Sequence, residues 1–415
     1  MIQPEPLQAY LQACAARQYG STPPPIPVIV LGLCKHGLYL TRNFARHGIP
    51  VLAMESNLAQ SSAHTRYGHK LVCADLYGAP LIELLQELRP WVPASTPIFP
   101  TNDRMVEFLL SHYRELSDHY RLPFPDGDLL RRLVSKPELC QLATAAGLNV
   151  PRSFAISGLE SLQQARSQMR FPVVVKPALP MMSFKSRRCD DFETLAAQVE
   201  ASARINEPLI VQEWIDGDDR TILFGAYYIS RNGACLASYS GRKLMSYPPL
   251  TGHAAATESY DLGKLLQEGA SFLKSLGYWG LCSIEYKGRD RTEARFIEVT
   301  VGRADWWIMC CGINGVNIPL AAYNDLTGAS LAFDNLQTSA YIWHDIEHSF
   351  PVLVENLRMR RWSIADGARF LMRPKKEALW DPRDPLPFLH ALPSYFLGCT
   401  AMLRRFIARA LAKAG

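Results

Sequence analysis

Cys282-Ser283-Ile284-Glu285-Tyr286-Lys287 and Phe296-Ile297-Glu298-Val299-Thr300-Val301 are the stretches whose reading decides the fold. Both alternate with period two, as strands do when one face is buried. In the first, Ser283, Glu285 and Lys287 share a face, and Ile284 and Tyr286 take the other. In the second, Phe296, Glu298 and Thr300 share a face, opposite Ile297, Val299 and Val301. The segment between them, Gly288–Ala294, is polar and turn-like. A hairpin centred between Arg291 and Thr292 sets Glu285 directly opposite Glu298. Opposed like charges destabilise a sheet. Such a pair calls for a cation, and hard divalent metals take oxygen ligands. Solvent exposure, or separate Lys and Arg partners, would relieve the pair equally well, and spacing does not choose between these readings.

Upstream, residues 1–25 form a short apolar-polar stretch ending in Pro23-Pro24-Pro25. An apolar run over Ile26–Leu33 predicts a strand, Leu38–Gly48 a helix, and Ile49–Met54 a second strand, which is one βαβ unit. A strand at Leu71–Cys73, a helix at Leu81–Leu88 and a strand at Ile98–Pro100 continue the pattern. The expectation is an open, doubly wound sheet. Gly32 and Gly37 follow the first strand without making the G-x-G-x-x-G fingerprint. A tight turn needing glycine explains them, and they are all that speaks for a dinucleotide-dependent oxidoreductase.

From Leu129 the texture becomes α+β. Ser135-Lys136-Pro137-Glu138 is a helix start, and the helix should stop at Gly147. Phe171-Pro172-Val173-Val174-Val175-Lys176-Pro177 is a buried strand that delivers a lysine to a loop, where an ammonium can meet a phosphate. Lys185 follows in a loop with Ser183 and Ser186. Taken singly, such lysines are more often solvated. Leu209-Ile210-Val211-Gln212-Glu213-Trp214-Ile215-Asp216-Gly217-Asp218-Asp219 is an apolar strand running into an acidic turn. Its end can read a base edge and a ribose hydroxyl, or it can be a plain acidic turn.

In this order, these motifs resemble the ATP-grasp superfamily over about residues 26–330. The likeness is to its carboxylate–amine ligase branches, including D-aspartate ligase-like and polysaccharide-cluster proteins. Gly241-Arg242-Lys243-Leu244 with Tyr247-Pro248-Pro249 looks like the basic substrate strand of that group, and Glu298–Arg303 like its metal strand. The resemblance implies an α/β and α+β fold in three parts. These are an N-terminal open parallel α/β domain over 1–128, an ATP-grasp domain over 129–330, and a mostly helical extension over 331–415. The ATP-grasp domain divides into a small lobe at 150–215 and a large lobe at 216–330.

The resemblance also implies site residues. Lys136 and Lys176 would contact the phosphates of ATP, and Ser183 and Lys185 would sit in the loop covering them. Gln212, Glu213 and Ile215 would meet the adenine and Asp219 the ribose. Glu285, Glu298 and Thr300 would hold Mg2+, with Mn2+ as a substitute. Arg303 would steady an acyl phosphate. Arg242 and Lys243 would meet the carboxylate substrate or the γ-phosphate, and Asp103 would lie on the wall of the substrate cleft. The implied activity is an ATP-dependent ligase that activates a carboxylate as an acyl phosphate and joins it to an amine. Two departures motivate a rival, a nucleotide-binding scaffold or regulator that has lost ligation. Thr300 stands where the family carries asparagine, and the loop Ala178–Arg188 has no glycine.

The 415 residues carry 44 basic and 39 acidic side chains, a net charge of +5 that is too mild to indicate a nucleic-acid partner. The ten cysteines form no CxxC pair, and no signal-peptide pattern opens the sequence, so a reducing cytoplasmic setting is expected. No apolar run is long enough to span a bilayer. Expected partners are small carboxylate and amine substrates, with a homodimer as an allowed assembly. Asp305 and Trp306 could line an amine pocket, His253 could face substrate from its loop, and His344, Asp345 and His348 make a weak metal-type cluster. A final helix with Leu403, Phe406, Ile407, Ala410 and Leu411 on one stripe and Arg404, Arg405, Arg409 and Lys413 beside it could rest weakly on an anionic membrane surface. Packing on its own domain or on a partner subunit competes with that reading.

Overall fold

The computed structural model describes residues 3–16, 24–180 and 182–395. The basic C-terminal helix read from the sequence therefore lies outside the described residues, as does Met181.

The first sheet contains β1 (Val28–Leu31), β2 (Val51–Glu55), β3 (His69–Val72), β4 (Thr96–Pro100) and β5 (Tyr120–Arg121). All neighbours are parallel, in the order β3-β2-β1-β4-β5. β1, β2 and β4 are buried along their whole length, as their continuous apolar runs require. The glycines after β1 are turn residues. Gly32 has φ +83°, and a Cβ on Gly37 would stand 1.9 Å from the Gly32 carbonyl oxygen. The opening stretch differs from expectation, because Pro4–Ala16 is a helix that buries Leu7. Its prolines fall in the first turn, where a missing N–H costs nothing.

The second sheet is antiparallel, ordered β6-β9-β7-β8, from β6 (Ser153–Ile156), β7 (Val173–Pro177), β8 (Arg187–Cys189) and β9 (Leu209–Glu213). Helix Lys136–Ala145 precedes it, and Lys136 N–H donates to the Ala178 carbonyl at 2.8 Å, tying the helix start to the loop after β7. Ser135 occupies the N-cap position without a side-chain capping bond.

The third sheet has seven strands, ordered β14-β13-β10-β11-β12-β15-β16. They are β10 (Ile222–Ile229), β11 (Cys235–Tyr247), β12 (His253–Ser259), β13 (Gly280–Lys287), β14 (Arg295–Val301), β15 (Ile342–His344) and β16 (Lys375–Glu377). Residues after 330 thus supply two strands to this sheet besides helices Ile346–Arg358 and Ile364–Met372. Helix Trp307–Ile313 is buried over Trp307, Ile308, Met309, Cys310 and Cys311.

One buried ion pair joins the late segment to the first sheet's helix Lys35–Arg46. Arg42 Nε lies 2.8 Å from Asp384 Oδ2, and Asp384 also accepts from Thr65 Oγ1 and the Arg66 N–H. Arg42 donates further to the carbonyls of Leu379 and Asp384. The desolvation of both charges is offset because each has hydrogen-bond partners. The segment around Asp384 is thus an anchor for the first domain.

Candidate active site

A cleft of about 810 Å3 opens between the three sheets. It lies at the carboxyl ends of β1 and β4, where open parallel sheets bind ligands.

On one wall, the hairpin of β13 and β14 pairs Glu285 with Glu298 and Ser283 with Thr300. Beyond Glu285 the register slips, because Tyr286 pairs with Phe296 and leaves Ile297 as an extra residue. Such a bulge re-aims side chains. Ile297 lines the cleft together with Glu298 and Thr300, although strict alternation had placed it on the far face.

Four lysines surround this wall: Lys136, Lys176, Lys185 and Lys243 all line the cleft. Burial would push the Glu298 carboxyl up, but Lys136, Lys185, Lys176 and Lys243 outweigh it and hold the group at about 2. Burial pushes the Lys176 ammonium down to about 8 against the attraction of Glu298, with Lys136 adding to the push. Burial and then Lys243 lower Lys185. Lys243 runs the other way: burial works against its charge, but Glu285 and Glu298 raise it. Its Nζ lies within 3.0 Å of both Glu285 oxygens. One of the relieving partners considered for the opposed carboxylates, a lysine, is therefore present.

The end of the cleft near β9 is apolar, lined by Val174, Ile215, Ile222 and Ile297, and suits a flat ring. Gln212 and Glu213 border it. Gln212 Nε2 donates to Ser153 Oγ at 3.0 Å, and Glu213 accepts from Arg295 at 2.5 Å. Lys185, in the loop after β7, donates to the Gly252 carbonyl at 2.9 Å, so that loop already reaches the third sheet.

Three expected site residues do not line the cleft. Asp219 is buried, and its two oxygens accept from the N–H groups of Ser246 and Leu250 at 2.9 and 3.0 Å. It shapes the chain after β11 instead of facing a ribose. Arg242 points across its sheet to Glu258 at 2.6 Å, because neighbours along a strand face opposite sides and Lys243 takes the cleft side. Ser183 is turned to Glu207, with Oγ 2.7 Å from Oε2 and its N–H 2.8 Å from Oε1.

The opposite end is built from residues far apart in sequence. Arg303 makes two bonds to Asp103, at 2.7 and 3.2 Å, and a third to Asp305 at 2.7 Å. Cys34, Lys35 and His36, in the turn after β1, line the same end, and His36 Nε2 is 2.8 Å from the Thr101 carbonyl oxygen. Lys35 bonds Asp345 at 2.6 Å and Glu347 at 2.8 Å. Trp306, Trp343, Asp345, His348 and His253 complete it. Sequence reading missed Cys34, Lys35 and His36. The available signal was their place at a strand's carboxyl end beside a turn glycine.

Hard oxygen donors are what a magnesium-type ion requires. Glu285, Glu298 and the Thr300 hydroxyl supply them on adjacent strands. The donor set suits a divalent cation, which would have to displace the Lys243 ammonium from Glu285. Asp345, Glu347 and His348 also cluster, but the Lys35 ammonium already neutralises their carboxylates.

No family model matches the chain. A D-aspartate ligase of Enterococcus faecium is 22% identical over 232 residues, covering 51% of this chain and 55% of that protein. The chain therefore spans about half the length of this curated relative. Among solved structures, a biotin carboxylase in complex with βγ-ATP from Campylobacter jejuni superposes with TM-score 0.62 at 14% identity, covering 78% of this chain and 75% of that one. An L-amino acid ligase from Bacillus licheniformis superposes with TM-score 0.56 at 17% identity, covering 74% and 75%. No helix among the described residues is long and apolar enough to cross a membrane.

Proposed function

We propose that this chain, whose fold is that of the ATP-grasp proteins, is an ATP- and magnesium-dependent ligase joining a carboxylate to an amine. The observation that carries the reading is the Glu285–Glu298 cross-strand pair set among Lys136, Lys176, Lys185 and Lys243. Two hard carboxylates ringed by ammonium groups match a metal-bound polyphosphate. The similarity to a D-aspartate ligase supports amide-bond formation with amino-acid-type substrates.

In this reading 1–128 is the N-terminal domain, 129–330 the nucleotide-binding body with lobes at 150–215 and 216–330, and 331–415 an extension that shares the cleft. The apolar slot near Ile215 and Ile297 takes the adenine, with Gln212 and Glu213 at its border. Lys136, Lys176 and Lys185 take the phosphates. Glu285, Glu298 and Thr300 would hold magnesium, or manganese in its place, and the bound ion would neutralise phosphate charge. A substrate carboxylate oxygen attacks the γ-phosphorus, the bond to the bridging oxygen breaks and ADP leaves. Lysine charge stabilises the phosphoryl group in flight. The amine nitrogen then attacks the acyl carbon and phosphate departs. Lys243 lies on the cleft side of β11 to steady the carboxylate, and Arg303, held by Asp103 and Asp305, steadies the acyl phosphate. Use of ATP and the free cysteines among the described residues agree with a cytoplasmic setting.

The deciding experiment is a phosphate-release screen of amino acids and small carboxylates, singly and in pairs, with ATP and magnesium. Release that depends on an acid–amine pair and disappears in Lys176→Ala is expected. Nucleotide binding without release from any pair would return the protein to the regulatory reading.

A further inference from the structure

Outside the phosphate-binding wall, the cleft contains a second arrangement of titratable groups. Asp345 ends the short link after β15, and His348 stands one turn later on helix Ile346–Arg358. His348 Nδ1 is 2.6 Å from Asp345 Oδ2. The same oxygen accepts from Lys35 at 2.6 Å. Asp345 Oδ1 is buried and has no hydrogen-bond partner among the described residues. Burial would raise the Asp345 carboxyl, but His348 and Lys35 hold it at about 2. An ionised carboxylate only accepts, so His348 Nδ1 must carry a proton and donate it. When the ring is neutral, its lone pair is then on Nε2. Both side chains line the cleft.

The surroundings keep that ring in place. Tyr247 of β11 packs against it with centroids 4.6 Å apart, and His253 of β12 meets it edge-on at 4.9 Å. The charged or titratable groups facing it are Asp345 and, beyond, Lys35 and Glu347, with Tyr247 and His253 on the sheet side. His253 follows Gly252, whose carbonyl binds Lys185 of the phosphate-covering loop. The imidazole therefore lies at the Arg303 end of the cleft, beside the strand that the Lys185 loop touches, on a segment outside the nucleotide-binding body.

The geometry points to His348, oriented by Asp345, as the general base that takes a proton from the amine substrate. This inference rests on the ligase reading. An amine enters as R–NH3+, which cannot attack a carbonyl. One N–H proton passes to His348 Nε2, and the freed lone pair forms the bond to the acyl carbon. The bond from that carbon to the phosphate oxygen breaks, and its electron pair leaves with phosphate. The second proton lost from nitrogen leaves on the phosphate. A buried carboxylate that fixes the tautomer and orientation of an imidazole is the arrangement a general base needs.

The test compares the full-length enzyme with His348→Gln, using ATP, magnesium and a panel of amino acids and small carboxylic acids as acyl source. The nucleophile is either hydroxylamine, which is largely unprotonated near neutral pH, or the amino acids themselves. His348→Gln is expected to keep hydroxamate formation within about twofold while coupling to amino acids near neutral pH falls by about 100-fold. The deficit should shrink at alkaline pH, where the amine loses its proton unaided. Retained hydroxamate also reports an intact fold. Coupling at the wild-type rate, or an equal fall in both products, would overturn the base assignment and leave the ligase reading standing. A wild-type enzyme that forms hydroxamate from no acid would instead remove the ligase reading, and the base with it.

Discussion

Lys243 Nζ bridges the carboxylate of Glu285, 2.9 Å from one oxygen and 3.0 Å from the other, on the face where Glu285 opposes Glu298. An ammonium and a divalent cation compete for the same oxygens. Removing the ammonium removes a charge-assisted bond, so Lys243→Ala should bind Mn2+ about tenfold tighter in the absence of nucleotide. Titration calorimetry measures this directly, and unchanged affinity would show that Lys243 does not guard the site.

Glu298→Gln and Lys176→Ala should each lower substrate-dependent ADP formation by about 100-fold or more, because Lys176→Ala removes a cation placed for the transferring phosphoryl group and Glu298→Gln a carboxylate that would hold the magnesium. Turnover at the wild-type level in both would exclude the assigned phosphate site.

Lys176 makes nucleotide binding sensitive to pH. Burial holds its ammonium at about 8, so the group is charged below that value and neutral above it. A phosphate next to it favours the charged form. ADP affinity should therefore fall as pH rises through about 8, with uptake of a proton on binding there. Calorimetry in buffers of different ionisation enthalpy reads the proton. Lys176→Met should show neither the slope nor the uptake.

Asp219 separates a structural role from a nucleotide-binding one. Asp219→Ala leaves the buried N–H of Ser246, and that of Leu250, without an acceptor, so it should cost about 1–3 kcal/mol of stability. ADP affinity measured on the folded fraction should stay within about threefold, well under one hydrogen bond's worth to a charged group. A large affinity loss with unchanged stability would restore the ribose contact.

Asp384→Ala strands the buried Arg42 guanidinium and should cost about 3–5 kcal/mol in urea unfolding. A cost below about 1 kcal/mol, the range of surface pairs, would show that the pair contributes little.

What could be read from the sequence follows the range over which residues act. Glu285 facing Glu298 followed from a hairpin centre placed between Arg291 and Thr292, whereas the turn-side pairs Lys287–Arg295 and Tyr286–Phe296 would by themselves oppose Glu285 to Ile297, and a bulge restores the pair. The place of Ile297 was not legible, since a bulge adds one residue without altering the apolar pattern. Helix Pro4–Ala16 left a signal in Leu7, Tyr10 and Leu11, at helical spacing, that its prolines obscured. Lys136 and Lys176 stand at the ends of recognisable elements and Lys185 in the loop between β7 and β8, but each alone reads as solvated, and only the family resemblance singled them out. The contact of Lys35 with Asp345 spans 310 positions, and nothing near either residue encodes it. Asp219 shows the opposite error. An acidic residue after a strand is compatible with a ligand and with a backbone clamp, and only the neighbours of its carboxylate distinguish the two.

The two late strands also bear on how this protein could be shortened. β15 covers the flank of β12 through the pairs Ala256–His344 and Thr257–Trp343, and β16, Lys375-Lys376-Glu377, closes the sheet with three charged side chains. Lysine-rich, three-residue borders discourage pairing between molecules. A version cut before Tyr341 would leave β12, which contains Ala254-Ala255-Ala256, as an edge strand paired only to β11. Its expected fate is self-association through bare backbone groups, so loss of function in such a truncation would report insolubility before it reported chemistry.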